Sequence, residues 1–212
     1  FKGMKYRTAS VRKRQKIAVT SAISVIVLSL TALSSVAVVS SNRVAQEFQE
    51  SLQSEPEFTP PVSEVTDRAE MIWLTGDSVI LGIRNTLAEI RPLLVVNARV
   101  GRAAPELLAE MSRDLEKAAG STVVLDLGNN DLLAEETVRG IFELVKESPK
   151  VVVVNTAVPR PYRDANNELI ARLATEYSNV RVVDWNEISD GHPEYFAPDG
   201  VHLVPTGVSA YV

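Results

Sequence analysis

Four short stretches of this sequence carry residue types suited to acyl transfer. Gly76-Asp77-Ser78-Val79 offers a hydroxyl nucleophile, and Pro198-Asp199-Gly200-Val201-His202 offers a base with a carboxylate three residues before it. A serine hydroxyl is a weak nucleophile until a base within hydrogen-bond reach takes its proton, and that base needs an orienting carboxylate. An Asp and a His separated by one turn can supply both from a single loop. Asparagine amides in Gly128-Asn129-Asn130-Asp131 could donate to a developing oxyanion, and the glycine of Val100-Gly101-Arg102 could permit a positive φ or a close backbone approach. Each stretch also has a plain reading. Asp and Ser are favoured helix N-caps, Gly101 suits an ordinary turn, and Asn129 to Asp131 suit an Asx turn opening a helix. What is specific is their joint occurrence and order. Of the two histidines, His192 in Gly191-His192-Pro193 has no carboxylate at the spacing of Asp199 to His202, and is expected to be structural.

These residues must be held by elements, and the apolar pattern says which. Runs rich in β-branched residues occur at Met71–Thr75, Leu93–Asn97, Thr122–Leu127, Val151–Ala157 and Val180–Trp185. They suit strands buried on both faces. Helix-period segments lie between them, at about Val79–Glu89, Ala103–Ala118, Leu132–Lys146 and Asp164–Tyr177. In the second, Leu107, Leu108, Met111 and Leu115 fall on one stripe. Such alternation predicts an α/β three-layer sandwich around a five-strand parallel sheet, with right-handed crossovers. In such sheets the loops after the strand C-termini carry function. Ser78, Gly101 and Asn130 follow the first, second and third strands, and His202 stands in the final loop.

The remainder of the chain bears on where this domain works. Net charge is −5 over 212 residues, but seven of the 22 lysines and arginines lie in residues 1–16, and no acid precedes Glu47. A basic head alone could suggest nucleic acid or anionic lipid. The segment after it points to a membrane. Ile17 to Val39 has no charge, proline or glycine, and about 20 apolar residues suffice to cross a bilayer. The flanking cations put residues 1–16 in the cytoplasm, 17–39 as a transmembrane helix and the rest outside, with no role for nucleic acid. A signal peptide is the rival reading, although no clean small-x-small cleavage site follows. Residues 40–69, polar and carrying Pro56, Pro60 and Pro61, read as a linker to a domain spanning 70–212. Either Met4 starts a single-pass protein, or the apolar run is the last helix of a longer chain. With no cysteine, the domain must rest on its apolar core.

The order of motifs resembles that of the SGNH (GDSL-like) hydrolases, whose four signature residues would be Ser78, Gly101, Asn130 and His202. Over residues 70–212 the chain looks most like the extracytoplasmic SGNH domain of acyltransferase-3 proteins such as the peptidoglycan O-acetyltransferases. The stretches that carry this are Gly76–Val79, Asn97–Arg102, Asn155–Tyr162, Asp184-Trp185 and Gly191–Phe196 running into Asp199–His202. The resemblance implies that Ser78 is acylated, His202 is the general base and Asp199 orients it. It implies an oxyanion hole from the Ser78 and Gly101 N–H groups and the Asn130 side chain, with Asp77 a structural partner in its loop. The family often has Gly-Thr-Asn where this chain has Gly128-Asn129-Asn130, so Asn129 or Asn130 could be the donor, and register favours Asn130. No metal or organic cofactor is implied. The implied partners are a membrane acyltransferase-3 domain that delivers the acyl donor and a carbohydrate acceptor. The expected activity is O-acyl transfer, acetyl by resemblance. The alternatives are an esterase with the same triad and a membrane-tethered binding domain with a dead site. In that family the domain continues into a C-terminal helix, whereas this sequence ends at Val212, shortly after Pro205, so the domain is expected to be truncated there.

Overall fold

The computed structural model describes residues 71–91 and 93–212. The expected basic flank, transmembrane helix and linker lie outside the described residues. Among the described residues no helix is long and apolar enough to cross a membrane.

Five strands form one parallel sheet: β1 (Ile72–Gly76), β2 (Leu94–Ala98), β3 (Thr122–Asp126), β4 (Lys150–Val154) and β5 (Val180–Val183). The order is β2-β1-β3-β4-β5, so the chain reverses direction of travel beside β1. That is the topological switch point, where the C-terminal ends of β1 and β3 leave a crevice. All five expected strands are present, their bounds shifted by no more than three residues.

The helices are α1 (Ser78–Ile90), α2 (Ala104–Arg113), α3 (Leu115–Ala118), α4 (Glu135–Leu144), α5 (Arg163–Ala174), α6 (Trp185–Ile188) and α7 (Pro205–Tyr211), with a short 3₁₀ turn at Pro193–Tyr195. Two apolar clusters lie on opposite faces of the sheet. One joins Trp73, Val123, Val151 and Val153 to Leu107, Met111, Ile141, Phe142, Ile170 and Leu173 of α2, α4 and α5. The other joins Leu74, Leu94 and Val154 to Val79, Ile80 and Ile83 of α1 and to Trp185 and Leu203. Adjacent strand residues such as Trp73 and Leu74 go to opposite faces, as the pleat requires. Both are fully buried.

The single helix expected over Ala103–Ala118 is two. It breaks at Asp114, whose carboxylate accepts from the Asn97 side chain at 2.8 Å. The bond draws the end of α2 to the edge strand β2 and interrupts the helix. Leu115, expected on the buried stripe, is therefore 37% exposed, whereas Leu107 and Met111 are buried. Residues 205–211 are helical, and α7 packs on the 3₁₀ turn and α1.

Candidate active site

β1 ends at Gly76, and the chain turns at once into α1. Asp77 caps that helix, its Oδ1 accepting from the Val79 N–H at 2.9 Å. The capping function thus belongs to Asp77. Ser78 becomes the first helical residue, with its hydroxyl free of cap duty and its N–H among the unpaired donors of the helix end. Ser78 is nevertheless only 5% exposed.

The final loop reaches Ser78 from the other end of the sequence. Residues 195–204 fold back on themselves: Ala197 N–H donates to His202 O at 2.7 Å and Val204 N–H to Tyr195 O at 3.0 Å. Inside this loop Asp199 uses both carboxylate oxygens. Oδ1 accepts from the Val201 and His202 N–H groups at 2.9 and 3.0 Å, which builds the turn. Oδ2 lies 2.7 Å from His202 Nδ1. The other ring nitrogen, Nε2, lies 3.0 Å from Ser78 Oγ. Burial pushes the Asp199 carboxyl up, but the bonds from His202 and the two backbone N–H groups outweigh it and hold the group at about 2. With Asp199 ionised and Nδ1–H donating to it, Nε2 presents its lone pair to the serine hydroxyl.

The loop after β2 runs alongside. Gly101 adopts φ +67°, the left-handed region that favours glycine. The next residue, Arg102, is buried and donates from Nη1 to Asn97 O at 2.8 Å.

The loop after β3 separates its two asparagines. Asn129 turns inward and donates to the Asp126 carboxylate at 2.9 Å. Asn130 turns toward the serine side, donating to Asp77 Oδ2 at 2.6 Å and to Arg102 O at 3.2 Å. Asn129 also acts on Asp77, but it is Asn130 that joins Asp77 to Arg102, with both of its amide hydrogens engaged. An oxyanion would have to displace the looser bond, to Arg102 O.

Several residues that hold this loop were not singled out from the sequence. Asn166, fully buried on α5, accepts from Leu133 N–H at 2.9 Å and donates to Gly128 O and Asp131 O at 3.0 and 2.8 Å. The Tyr162 hydroxyl donates to Asn129 O at 3.1 Å. The Tyr211 hydroxyl, on α7, donates to Asp126 Oδ2 at 3.1 Å. Asp126 therefore lies buried between Asn129 and Tyr211. Desolvation, reinforced by the nearby Asp77 charge, pushes its carboxyl well above the usual range. Burial likewise raises Asp77, to about 6, against the pull of Val79 N–H, Asn129, His202 and Arg102. The one signal available in advance was an acid ending an otherwise apolar strand at Asp126.

His192 does not join the site. It is exposed, stacks on Tyr195 with ring centroids 4.6 Å apart, and has Nδ1 2.8 Å from Glu194 Oε1. It does have a carboxylate partner, two residues after it rather than three before. Among the described residues no group of His, Cys, Asp and Glu side chains could hold a metal ion.

No protein-family model matches the chain. Among curated proteins, it is 39% identical over 141 residues to a Staphylococcus aureus protein named, provisionally, an O-acetyltransferase, a match that covers 65% of this chain and 23% of that protein. It is 36% identical over 138 residues to the peptidoglycan O-acetyltransferase OatA of Listeria monocytogenes, covering 65% of this chain and 22% of that one. The chain thus spans less than a quarter of the length of these relatives. Among solved structures, the C-terminal catalytic domain of Streptococcus pneumoniae OatA, carrying a methylsulfonyl adduct, superposes with a TM-score of 0.55 at 24% identity, covering 68% of this chain and 88% of that one. Axe2, an acetylxylan esterase of Geobacillus stearothermophilus, gives 0.55 at 17% identity, covering 68% and 91%. In sequence and fold together, residues 71–212 form an SGNH-type domain similar to that of the OatA-like O-acetyltransferases.

Proposed function

We propose that this domain is a serine-dependent O-acyltransferase, transferring acetyl to a cell-envelope glycan through an acyl-enzyme on Ser78. One observation carries the reading: the continuous hydrogen-bonded line from Ser78 Oγ through the His202 ring to Asp199, at 3.0 and 2.7 Å. Asp199 remains ionised and keeps the Nδ1 proton in place. His202 Nε2 takes the serine proton as Oγ attacks the acyl carbonyl. The oxyanion that forms meets the Ser78 N–H at the start of α1, the Gly101 N–H and the Asn130 amide, which trades its bond to Arg102 O for the new one. His202 then gives its proton to the departing donor. In the second half it takes the proton of an acceptor hydroxyl, which attacks the acyl-enzyme, and returns that proton to Ser78 Oγ as the serine leaves.

The names of the sequence relatives support O-acetyl transfer, and that of the Listeria protein supports a glycan acceptor, peptidoglycan. In keeping with that reading, residues 17–39 would cross the membrane, the domain would lie outside the cell, and a membrane acyltransferase-3 domain would bring the donor. The fold likeness to Axe2 supports a second reading, an esterase in which water is the acceptor.

A small ester and a mixture of glycan oligomers distinguish the two. With p-nitrophenyl acetate as donor, mass spectrometry should find acetylated sugar, and free acetate alone would favour the esterase. Ser78→Ala should lower turnover by roughly 10⁴-fold or more and abolish labelling by a sulfonyl fluoride. Undiminished turnover and labelling in that variant would remove Ser78 from the chemistry.

A further inference from the structure

Three separate loops carry the proposed oxyanion donors: Ser78 follows β1, Gly101 follows β2 and Asn130 follows β3. Their N–H groups must converge on one atom, and a misplacement of about 1 Å can cost on the order of 100-fold in rate. Something must therefore set the three loops against one another. Arg102 meets all of them. In its own loop, the Arg102 N–H closes a turn onto Arg99 O at 3.2 Å, with Gly101 inside the turn at φ +67°. Its side chain reaches back, and Nη1 donates to Asn97 O at 2.8 Å, near the end of β2. The same carbonyl accepts from the Thr75 hydroxyl of β1 at 2.8 Å, so the anchor is itself pinned. Toward the third loop, Arg102 O accepts from the Asn130 amide at 3.2 Å. The guanidinium also lies in the field of Asp77, the cap of α1, whose Oδ2 accepts from Asn130 at 2.6 Å. The short bond keeps the amide from swinging away, and the long one suits a donor that must be released when an oxyanion forms.

Packing does not hold the Gly101 turn. Beyond its chain neighbours, nothing lies within 4 Å of where a Cβ on Gly101 would stand. The ion pair at the other end of the turn, Arg99 with Glu106, is exposed to solvent and is a weak restraint. Arg102 is by contrast only 8% exposed. Burial pushes its guanidinium below the usual range, against the pull of Glu106, Glu110 and Asp77. Its Nε is buried with no hydrogen-bond partner. A buried cation with an unpaired donor works against stability. Methionine, of similar length, would fill the space with no charge to desolvate. The residue is explained by what it holds in place rather than by what it adds to the fold.

We infer that Arg102 is a positioning residue of the oxyanion hole: its side chain moors the turn that carries the Gly101 N–H, and its carbonyl, fixed by that mooring, sets the resting place of Asn130. The oxyanion itself rests on the acyl-transfer reading, whereas the positioning is tested without turnover.

The test compares Arg102→Met and Arg102→Lys with the wild type, each as the full 212-residue chain, by ¹H–¹⁵N NMR and by turnover of p-nitrophenyl acetate. In Arg102→Met the Gly101 amide and Asn130 side-chain resonances should shift or broaden, while the Asp199 to His202 amides stay in place. Arg102→Lys keeps the charge and a donor for Asn97 O, and should bring the resonances part of the way back. On the ester, kcat should fall roughly 10- to 100-fold in Arg102→Met with KM little changed, because these donors act on the transition state. Arg102→Lys should recover part of that loss. Gly101 and Asn130 resonances that stay unmoved in Arg102→Met overturn the inference, as does an unchanged kcat in a chain whose turnover depends on Ser78. Thermal melting checks that each variant is folded, and if Arg102→Met is not, Arg102→Gln, shorter and uncharged, is read in the same way. Resonances that move as expected in a chain with no Ser78-dependent turnover support the positioning and count against the acyl-transfer reading alone.

Discussion

Asp199 serves the turn and the histidine at once. One oxygen collects two backbone N–H groups while the other meets His202. Asp199→Asn keeps the size and the turn but replaces an acceptor with an amide that can donate to Nδ1, which moves the ring proton to Nε2 and blocks it as a base. Turnover of a small ester should fall roughly 10³- to 10⁴-fold with KM little changed. A fall of less than tenfold would show that the carboxylate does not set the tautomer. The Asp199–His202 pairing was legible because three residues across a turn fix the geometry locally. The roles of Asp126, Asn166 and Tyr211 were not, because their partners are remote: Tyr211 lies 85 positions from Asp126, and Asn166 lies 33 to 38 from the groups it bonds. Such contacts follow from topology, which no local spacing encodes.

At the scale of elements, the 128–133 loop owes its shape to α5. Asn166 satisfies three backbone groups of that loop from a fully buried position. Asn166→Ala strands them without partners and should lower stability by about 3 kcal/mol, measured by urea unfolding. Activity should fall further than unfolding accounts for, because Asn130 loses its register. If stability drops but the folded fraction keeps full turnover, the loop does not need α5 to hold the proposed oxyanion donor. The strand and helix order was readable from periodicity, since both faces of the sheet are covered and the apolar runs are unbroken. The break at Asp114 was not readable. It depends on a side-chain bond from β2, 17 positions away, and helical periodicity carries no trace of such a partner.

For the whole molecule, the buried acids set how stability varies with pH. The folded state raises Asp77 from its ordinary 3.8 to about 6, by desolvation. Folding therefore favours its protonated form. The stability this contributes is fully present below about pH 4 and is lost as pH rises through 6. Asp126, raised by burial and by the Asp77 charge, acts in the same direction. Asp199, held at about 2, acts oppositely: its contribution is present above 3.8 and is lost as pH falls toward 2. The urea midpoint should accordingly rise as pH is lowered from 8 to 5, then decline at strongly acidic pH. Asp77→Asn should flatten the first part of that curve. A wild-type midpoint that falls steadily from pH 8 to 5 would contradict the burial of these carboxyls.

Ser78 and His202 stand 124 positions apart, and four of the five strands lie between them. As the chain is made from its N-terminus, the serine appears before the rest of the domain and remains an ordinary alcohol. Its proposed base, His202, arrives only after the sheet has been laid down and the final loop has closed over the crevice. On the proposed mechanism, a nascent or partly unfolded chain would therefore carry no activated nucleophile, and could not take or squander an acyl group before there is a finished cleft to receive its acceptor.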